Sequence, residues 1–195
     1  MTEKWPAYQV ADDAVVHALG VMNINYVRFE RTHVWMLAAT ANLTEPQAIV
    51  FTSRINPNER ATFIDMFFRR REWPEPVGQA IKHYISAMRT LTENRNTIIH
   101  GNVVTSFGSE PAIFSLNRQG VMTMFRSSLG TIRQAADDAE TYFQFGLALA
   151  NYIATEIHGA ARQEGMIVVH DCPLCPPLPQ QIRAACGDVP LFVEH

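Results

Sequence analysis

The sequence has little that suits a secreted or membrane-spanning protein. Only three of the 195 residues are cysteine, and all three lie between positions 172 and 186, so a disulfide framework for the whole chain is excluded. No stretch approaches the roughly 18 uninterrupted apolar residues of a membrane helix, and residues 1–10 lack a basic segment followed by an apolar run. These absences predict a cytoplasmic protein.

A surplus of positive charge is missing as well. The net charge is -3, whereas proteins that hold nucleic acid by general electrostatics carry a basic excess. Any contact with RNA must therefore be local, which suits a chain in which 14 of the 16 basic residues are arginine. The sequence also has no glycine-rich phosphate loop, no serine nucleophile elbow and no zinc-protease helix motif, so those enzyme classes are excluded.

Apolar residues at helical spacing dominate the first 159 residues. They predict helices over about residues 12–42, 44–54, 56–70, 76–99 and 128–157, with capping boxes at Thr44 and Asn56, a cap at Ser127 or Ser128, and glycine stops at Gly101 and Gly159. Short alternating runs predict a β-meander at about residues 102–125. The expected fold is mainly all-α, an antiparallel helical bundle with a small β-meander insertion.

The chain length fits one domain with a short appendage. We expect the helical domain to span residues 1–159. Residues 160–195 are spotted with proline and weakly periodic, so we expect an extended C-terminal tail there.

One charged residue stands where the helical pattern calls for an apolar one. On a helical wheel Arg95 falls within about 40° of Ile81, Met88 and Ile99, in the middle of the apolar stripe. A guanidinium there is costly to bury unless it has an anionic partner or faces a cavity or an interface. An internal ion pair, for instance with Glu30 of the first helix, is one explanation, and a binding site is the other.

A histidine follows this arginine near the end of the same helix. His100 lies about 140° around the helix from Arg95 and about 7.5 Å along it, so the two side chains are expected to diverge. Asn96 shares the face of His100. A compact site that holds both charged groups would then form where a second copy of the motif comes alongside at a two-fold axis. This geometry predicts a homodimer.

The heptapeptide 95–101 resembles the motif of the HEPN superfamily. It reads Arg-Asn-Thr-Ile-Ile-His-Gly, and the family motif is an arginine, usually followed by a polar residue, with four to six residues in all before a histidine near the end of a helix. The order of the helices extends the resemblance loosely over about residues 12–158. It implies an all-α fold and an active site made of Arg95, Asn96 and His100.

The resemblance also implies a function. HEPN proteins are typically endoribonucleases that use no metal or cofactor, attack the adjacent phosphate with the ribose 2′-hydroxyl, and often serve in toxin and antitoxin or defence systems. His100 would act as general base or acid, Arg95 would stabilise charge on the phosphoryl oxygens, and Asn96 would orient them. The expected partners are a second copy, an RNA substrate and a protein antitoxin. The alternative is a non-catalytic module of the same family that binds RNA, nucleotide or protein.

The tail contains a weaker, metal-type pattern. His170, Cys172, Cys175 and Cys186 include one pair of cysteines separated by two residues, which could hold zinc. A firm zinc prediction needs a second, well-spaced pair. Free thiols on the tail are therefore the preferred interpretation.

Overall fold

The computed structural model describes residues 12–104, 112–116, 121–126, 128–159, 170–182 and 189–190. These residues form five α-helices: α1 (Asp13–Ala41), α2 (Glu45–Thr52), α3 (Pro57–Phe68), α4 (Glu75–His100) and α5 (Leu129–Tyr152). A short π-helix (Ile153–Ile157) continues α5. The prediction of a mainly α-helical protein is confirmed. None of the helices in these ranges combines the length and the apolar character that crossing a membrane requires.

Local signals in the sequence set most of the helix ends. Thr44 and Asn56 both form capping boxes, with Gln47 and Glu59 as the reciprocal partners. The Ser128 hydroxyl accepts a hydrogen bond from the Thr131 amide and so caps α5. The helix α4 ends at His100 as predicted, but Gly101 adopts an extended conformation (φ -80°, ψ 148°) rather than the left-handed one that favours glycine.

The core of the bundle lies between α1, α4 and α5. The Tyr26 hydroxyl donates to Thr92 Oγ1, while six residues further along α1 Thr32 contacts Tyr84, so α1 and α4 are antiparallel. Helices α1 and α5, by contrast, run in the same direction. Asn25 Nδ2 donates to the Ala136 carbonyl, and further along both helices Arg28 pairs with Glu140. Helix α4 is therefore antiparallel to both α1 and α5, as predicted for an antiparallel bundle. Helices α1 and α5 are parallel to each other, which differs from that prediction.

Strands follow α4 in the order predicted for residues 102–125. β1 (Asn102–Val104), β2 (Ala112–Leu116) and β3 (Val121–Arg126) pair antiparallel, and β4 (Val189–Pro190) adds to the far edge of β3. Ile113, the second residue of β2, is fully buried. No sequence pattern predicts β4, because two residues are too few for an alternating pattern. The expected turns at 108–111 and 117–120 and the alternative cap at position 127 lie outside the described residues.

Part of the expected tail lies along the bundle. Residues 170–182 contain no helix or strand, yet the Pro177 carbonyl accepts a hydrogen bond from the Tyr142 hydroxyl of α5 at 3.1 Å. The Asn94 carboxamide of α4 makes two hydrogen bonds with the backbone of this segment, one donated by its Nδ2 and one accepted by its Oδ1. The other residues of 160–195, apart from β4, lie outside the described ranges.

Candidate active site

The last turns of α4 position the three residues of the predicted site. The helix buries an apolar face against α1 and α5, and Ile98 anchors its final turn in the core with 1% exposure. Arg95 stands on this face as the helical wheel predicts, and it is half-buried. Its guanidinium carbon lies 5.7 Å from the ring centroid of Tyr26 on α1, within the range of a cation–π contact. Burial raises the pKa of Tyr26 to about 12, so this ring stays neutral beneath the arginine.

Arg95 and His100 converge within a single chain. Arg95 Nη1 lies 3.1 Å from His100 Nε2 and also 3.1 Å from Asn96 Oδ1. The prediction that the two side chains diverge is therefore wrong. The wheel compares directions at the helix axis, but an arginine side chain is long enough to reach back over the next turn. A second copy is not needed to bring the three residues together.

The contact between Arg95 and His100 defines the state of the imidazole. A guanidinium carries only donors, so Nε2 must present its lone pair and the ring proton must lie on Nδ1. His100 is exposed at the end of the helix, so a phosphate that takes over the hydrogen bond from Arg95 leaves this lone pair open to the ligand. This is the form that a general base takes before it accepts a proton.

Arg95 has no carboxylate within ion-pair distance in the part of the chain that the structure describes. The expected internal pair with Glu30 is not formed, because Glu30 instead faces Arg60, with Oε1 and Nη1 3.8 Å apart. In addition, Arg95 Nε is buried and has no hydrogen-bond partner within the described ranges. The guanidinium thus keeps donor capacity that a bound anion would use.

An open cleft of about 560 Å³ adjoins the site. Its walls come from α1, the start of α3 and the end of α4. The polar side chains that line it are Tyr26, Glu30, Asn56, Glu59, Thr62, Thr92, Arg95 and Asn96. Arg95 therefore contacts His100 and, together with Asn96, faces a space large enough for part of a ligand.

Asn94 is a neighbouring residue that the sequence reasoning missed. It is 2% exposed; its Nδ2 donates to the Gln180 carbonyl and its Oδ1 accepts from the Ile182 amide, both at 2.9 Å. The signal that could have revealed it is the one that singled out Arg95, a polar side chain within about 40° of Ile98 on the apolar stripe. Asn94 directly precedes Arg95, so these hydrogen bonds hold the tail beside the candidate site.

The metal-type pattern is only partly described. Cys172 and Cys175 have free thiols, and burial raises the pKa of both. No group of three or more histidine, cysteine, aspartate or glutamate side chains that could hold a metal occurs among the described residues, which include His170. Cys186 lies outside them.

His33 is a second unusual histidine, away from the candidate site. It is fully buried in α1, and neither ring nitrogen has a hydrogen-bond partner among the residues that the structure describes. Burial, with a smaller contribution from Arg60, lowers its pKa to about 3, so the ring is neutral and packs as an aromatic group against Phe29.

Comparisons of the chain with protein families, with curated proteins and with solved structures found no match.

Proposed function

We propose that this protein is a HEPN-like, metal-independent endoribonuclease with Arg95, Asn96 and His100 as its catalytic residues. One observation supports the proposal: an arginine that lines an open cleft and has no carboxylate partner among the described residues lies 3.1 Å from the basic nitrogen of a histidine. General base chemistry and electrostatic stabilisation of a phosphate need this pair of groups.

Each residue has a defined part in the proposed reaction. His100 Nε2 takes the proton of a ribose 2′-hydroxyl, and that oxygen attacks the adjacent phosphorus. The bond from phosphorus to the 5′-oxygen breaks, and the leaving oxygen takes a proton from the imidazolium or from water. Arg95 donates hydrogen bonds to the non-bridging oxygens, where negative charge builds up. Asn96 holds the guanidinium through Oδ1 and has its amide group available for the phosphate. The products are a 2′,3′-cyclic phosphate and a 5′-hydroxyl.

The proposal extends to the partners and setting that the motif implies. RNA is the substrate, a protein antitoxin is a candidate inhibitor, and a toxin or defence system in the cytoplasm is the setting. The acidic net charge of -3 fits recognition by a few directed arginine contacts better than broad attraction to the backbone. A homodimer remains part of the proposal, although the convergence of Arg95 and His100 removes the geometric reason first given for it.

The test is cleavage of a labelled single-stranded RNA by purified protein in the presence of EDTA. We expect fragments ending in cyclic phosphate, and His100→Ala should lower the rate at least about 100-fold while circular dichroism stays unchanged. His17→Ala, at an exposed histidine of α1, is the matched control and should cleave at the wild-type rate. An inert wild type, together with loss of the fold in Arg95→Ala or His100→Ala, would make the motif structural and favour the non-catalytic interaction module.

A further inference from the structure

A stripe of exposed apolar side chains runs along the outer face of α1. Val16, Ile24 and Val27 are 52%, 61% and 57% exposed. Together with Gly20 they lie within about 40° of one line along the helix. The buried face of α1, centred on Phe29, is on the opposite side. The helices of the described bundle therefore do not pack on this stripe.

Opposite charges end the stripe. Asp13 stands on the same line in the first turn, and Arg31 stands on it about 27 Å further along the helix. Both side chains are exposed, and the Arg31 guanidinium lies 5.7 Å from the ring centroid of Trp35. The stripe is thus acidic at one end, apolar in the middle and basic at the other end.

We propose that this stripe is a homodimer interface in which α1 of one copy packs antiparallel against α1 of another. A two-fold axis at the level of Met22 places position 13 of one copy opposite position 31 of the other, and position 20 opposite position 24. In this register the numbers of any two facing residues sum to 44. Asp13 of each copy then meets Arg31 of the other. Ile24 meets Gly20, and Val16 comes within one residue of Val27. The stripe is complementary to itself in charge, in size and in apolar character.

Gly20 supplies the space that this packing needs. A Cβ atom added at this position would have no neighbour within 4 Å, so the hollow is open. A large side chain seated over a glycine lets two helices approach closely. The parallel arrangement would instead place Asp13 beside Asp13 and Arg31 beside Arg31, which is unfavourable.

The size of the stripe sets the expected strength. It is about 27 Å long and roughly 10 Å wide, which is below the size of stable specific interfaces and fits a transient complex. We therefore expect a reversible dimer whose dissociation constant lies in the micromolar range. This inference is independent of RNA cleavage, since no residue of the stripe belongs to the proposed active site.

Sedimentation velocity of the full chain between about 1 and 200 µM tests the interface. Wild type should change from monomer to dimer across this range. Ile24→Glu should raise the dissociation constant at least about tenfold, since the symmetry places the buried charge in the interface twice. Val50→Glu is the matched control: Val50 is 71% exposed on α2, off the stripe, so its variant should dimerise like wild type.

A charge exchange tests the antiparallel register. Asp13→Arg and Arg31→Asp should each weaken the dimer several-fold, and the double variant should restore it to within about threefold of wild type. Circular dichroism should be unchanged throughout, because both positions are exposed. A chain that stays monomeric, a dimer that tolerates Ile24→Glu or is lost in Val50→Glu, or a double variant that is weaker than either single one would each overturn the proposal.

Discussion

Two polar regions on the inner faces of the bundle differ in burial and in charge. The first region, which we call the sealed layer, consists of Thr32, His33, Tyr84 and Gly146, and all four residues are buried. It is tightly packed, because a Cβ added at Gly146 would clash with Tyr84 and Thr32. The open end, formed by Asn94, Arg95, Asn96 and His100, borders a cleft and the tail. In the sealed layer the ionisable groups are held neutral by burial, whereas at the open end a charge is kept. Burial alone therefore does not mark the functional position; a retained charge beside open space does.

Removal of that charge should have the largest effect. Arg95→Ala is expected to lower RNA cleavage about 10² to 10³-fold, because a donor to the developing phosphoryl charge is lost, while the free energy of unfolding changes by less than about 1 kcal/mol. Arg28→Ala is the matched control, since Arg28 also lies over an aromatic ring, that of Phe143 at 4.3 Å, but is paired with Glu140. Equal losses of activity in both variants would contradict the assignment.

The tight packing of the sealed layer can be tested at a glycine. A Cβ on Gly146 would lie 2.7 Å from Tyr84 Cε2 and 2.9 Å from Thr32 Oγ1. Gly146→Ala should therefore destabilise the protein by about 2 kcal/mol, despite the better helix propensity of alanine. At Gly78 the nearest atoms would be 3.8 Å away, so Gly78→Ala should be neutral or stabilising. Chemical denaturation measures both, and equal stability of the two variants would show that the layer can relax.

The neutral histidine makes the sealed layer sensitive to acid. His33 has a pKa of about 3 in the folded protein and an ordinary value of 6.5. Below pH 6.5 the unfolded chain binds a proton at this histidine and the folded chain does not. The free energy of unfolding therefore decreases as the pH is lowered from 6.5 to about 3. Because of this residue, the free energy of unfolding should be about 2 kcal/mol lower at pH 5 than at neutral pH. His33→Leu should lose less stability over that interval; an identical pH profile would remove His33 as the cause.

The smallest effect concerns the contact between the tail and the open end. Asn94→Ala removes two buried hydrogen bonds, to Gln180 and Ile182, and should destabilise the fold by about 1 to 2 kcal/mol. Hydrogen exchange at the Ile182 amide should accelerate in this variant. Glu93→Ala is the control, because Glu93 is exposed and accepts its hydrogen bond from the Gln181 side chain and not from the backbone of the tail. Unchanged exchange in Asn94→Ala would mean that other contacts hold the tail.

The features that were predictable from sequence are local ones. The capping boxes at Thr44 and Asn56 depend on residues three apart, and each fixes a helix start whatever the rest of the chain does. The position of Arg95 on the apolar face also follows from spacing alone. The convergence of Arg95 with His100 does not, because it depends on side-chain length and rotamer. The pairing of β4, the partner of Glu30 and the role of Asn94 depend on contacts between segments far apart in the chain.

The π-helix at Ile153–Ile157 sets how the end of α5 meets the first helix. The His158 amide donates to the Ile153 carbonyl, five residues back, so this turn holds one residue more than a regular α-helical turn. If the same five residues were α-helical, they would rotate the chain further about the helix axis and point the next residue in another direction. The widened turn thus directs the His158 ring toward α1, where its Nε2 lies 2.8 Å from the Ala39 carbonyl.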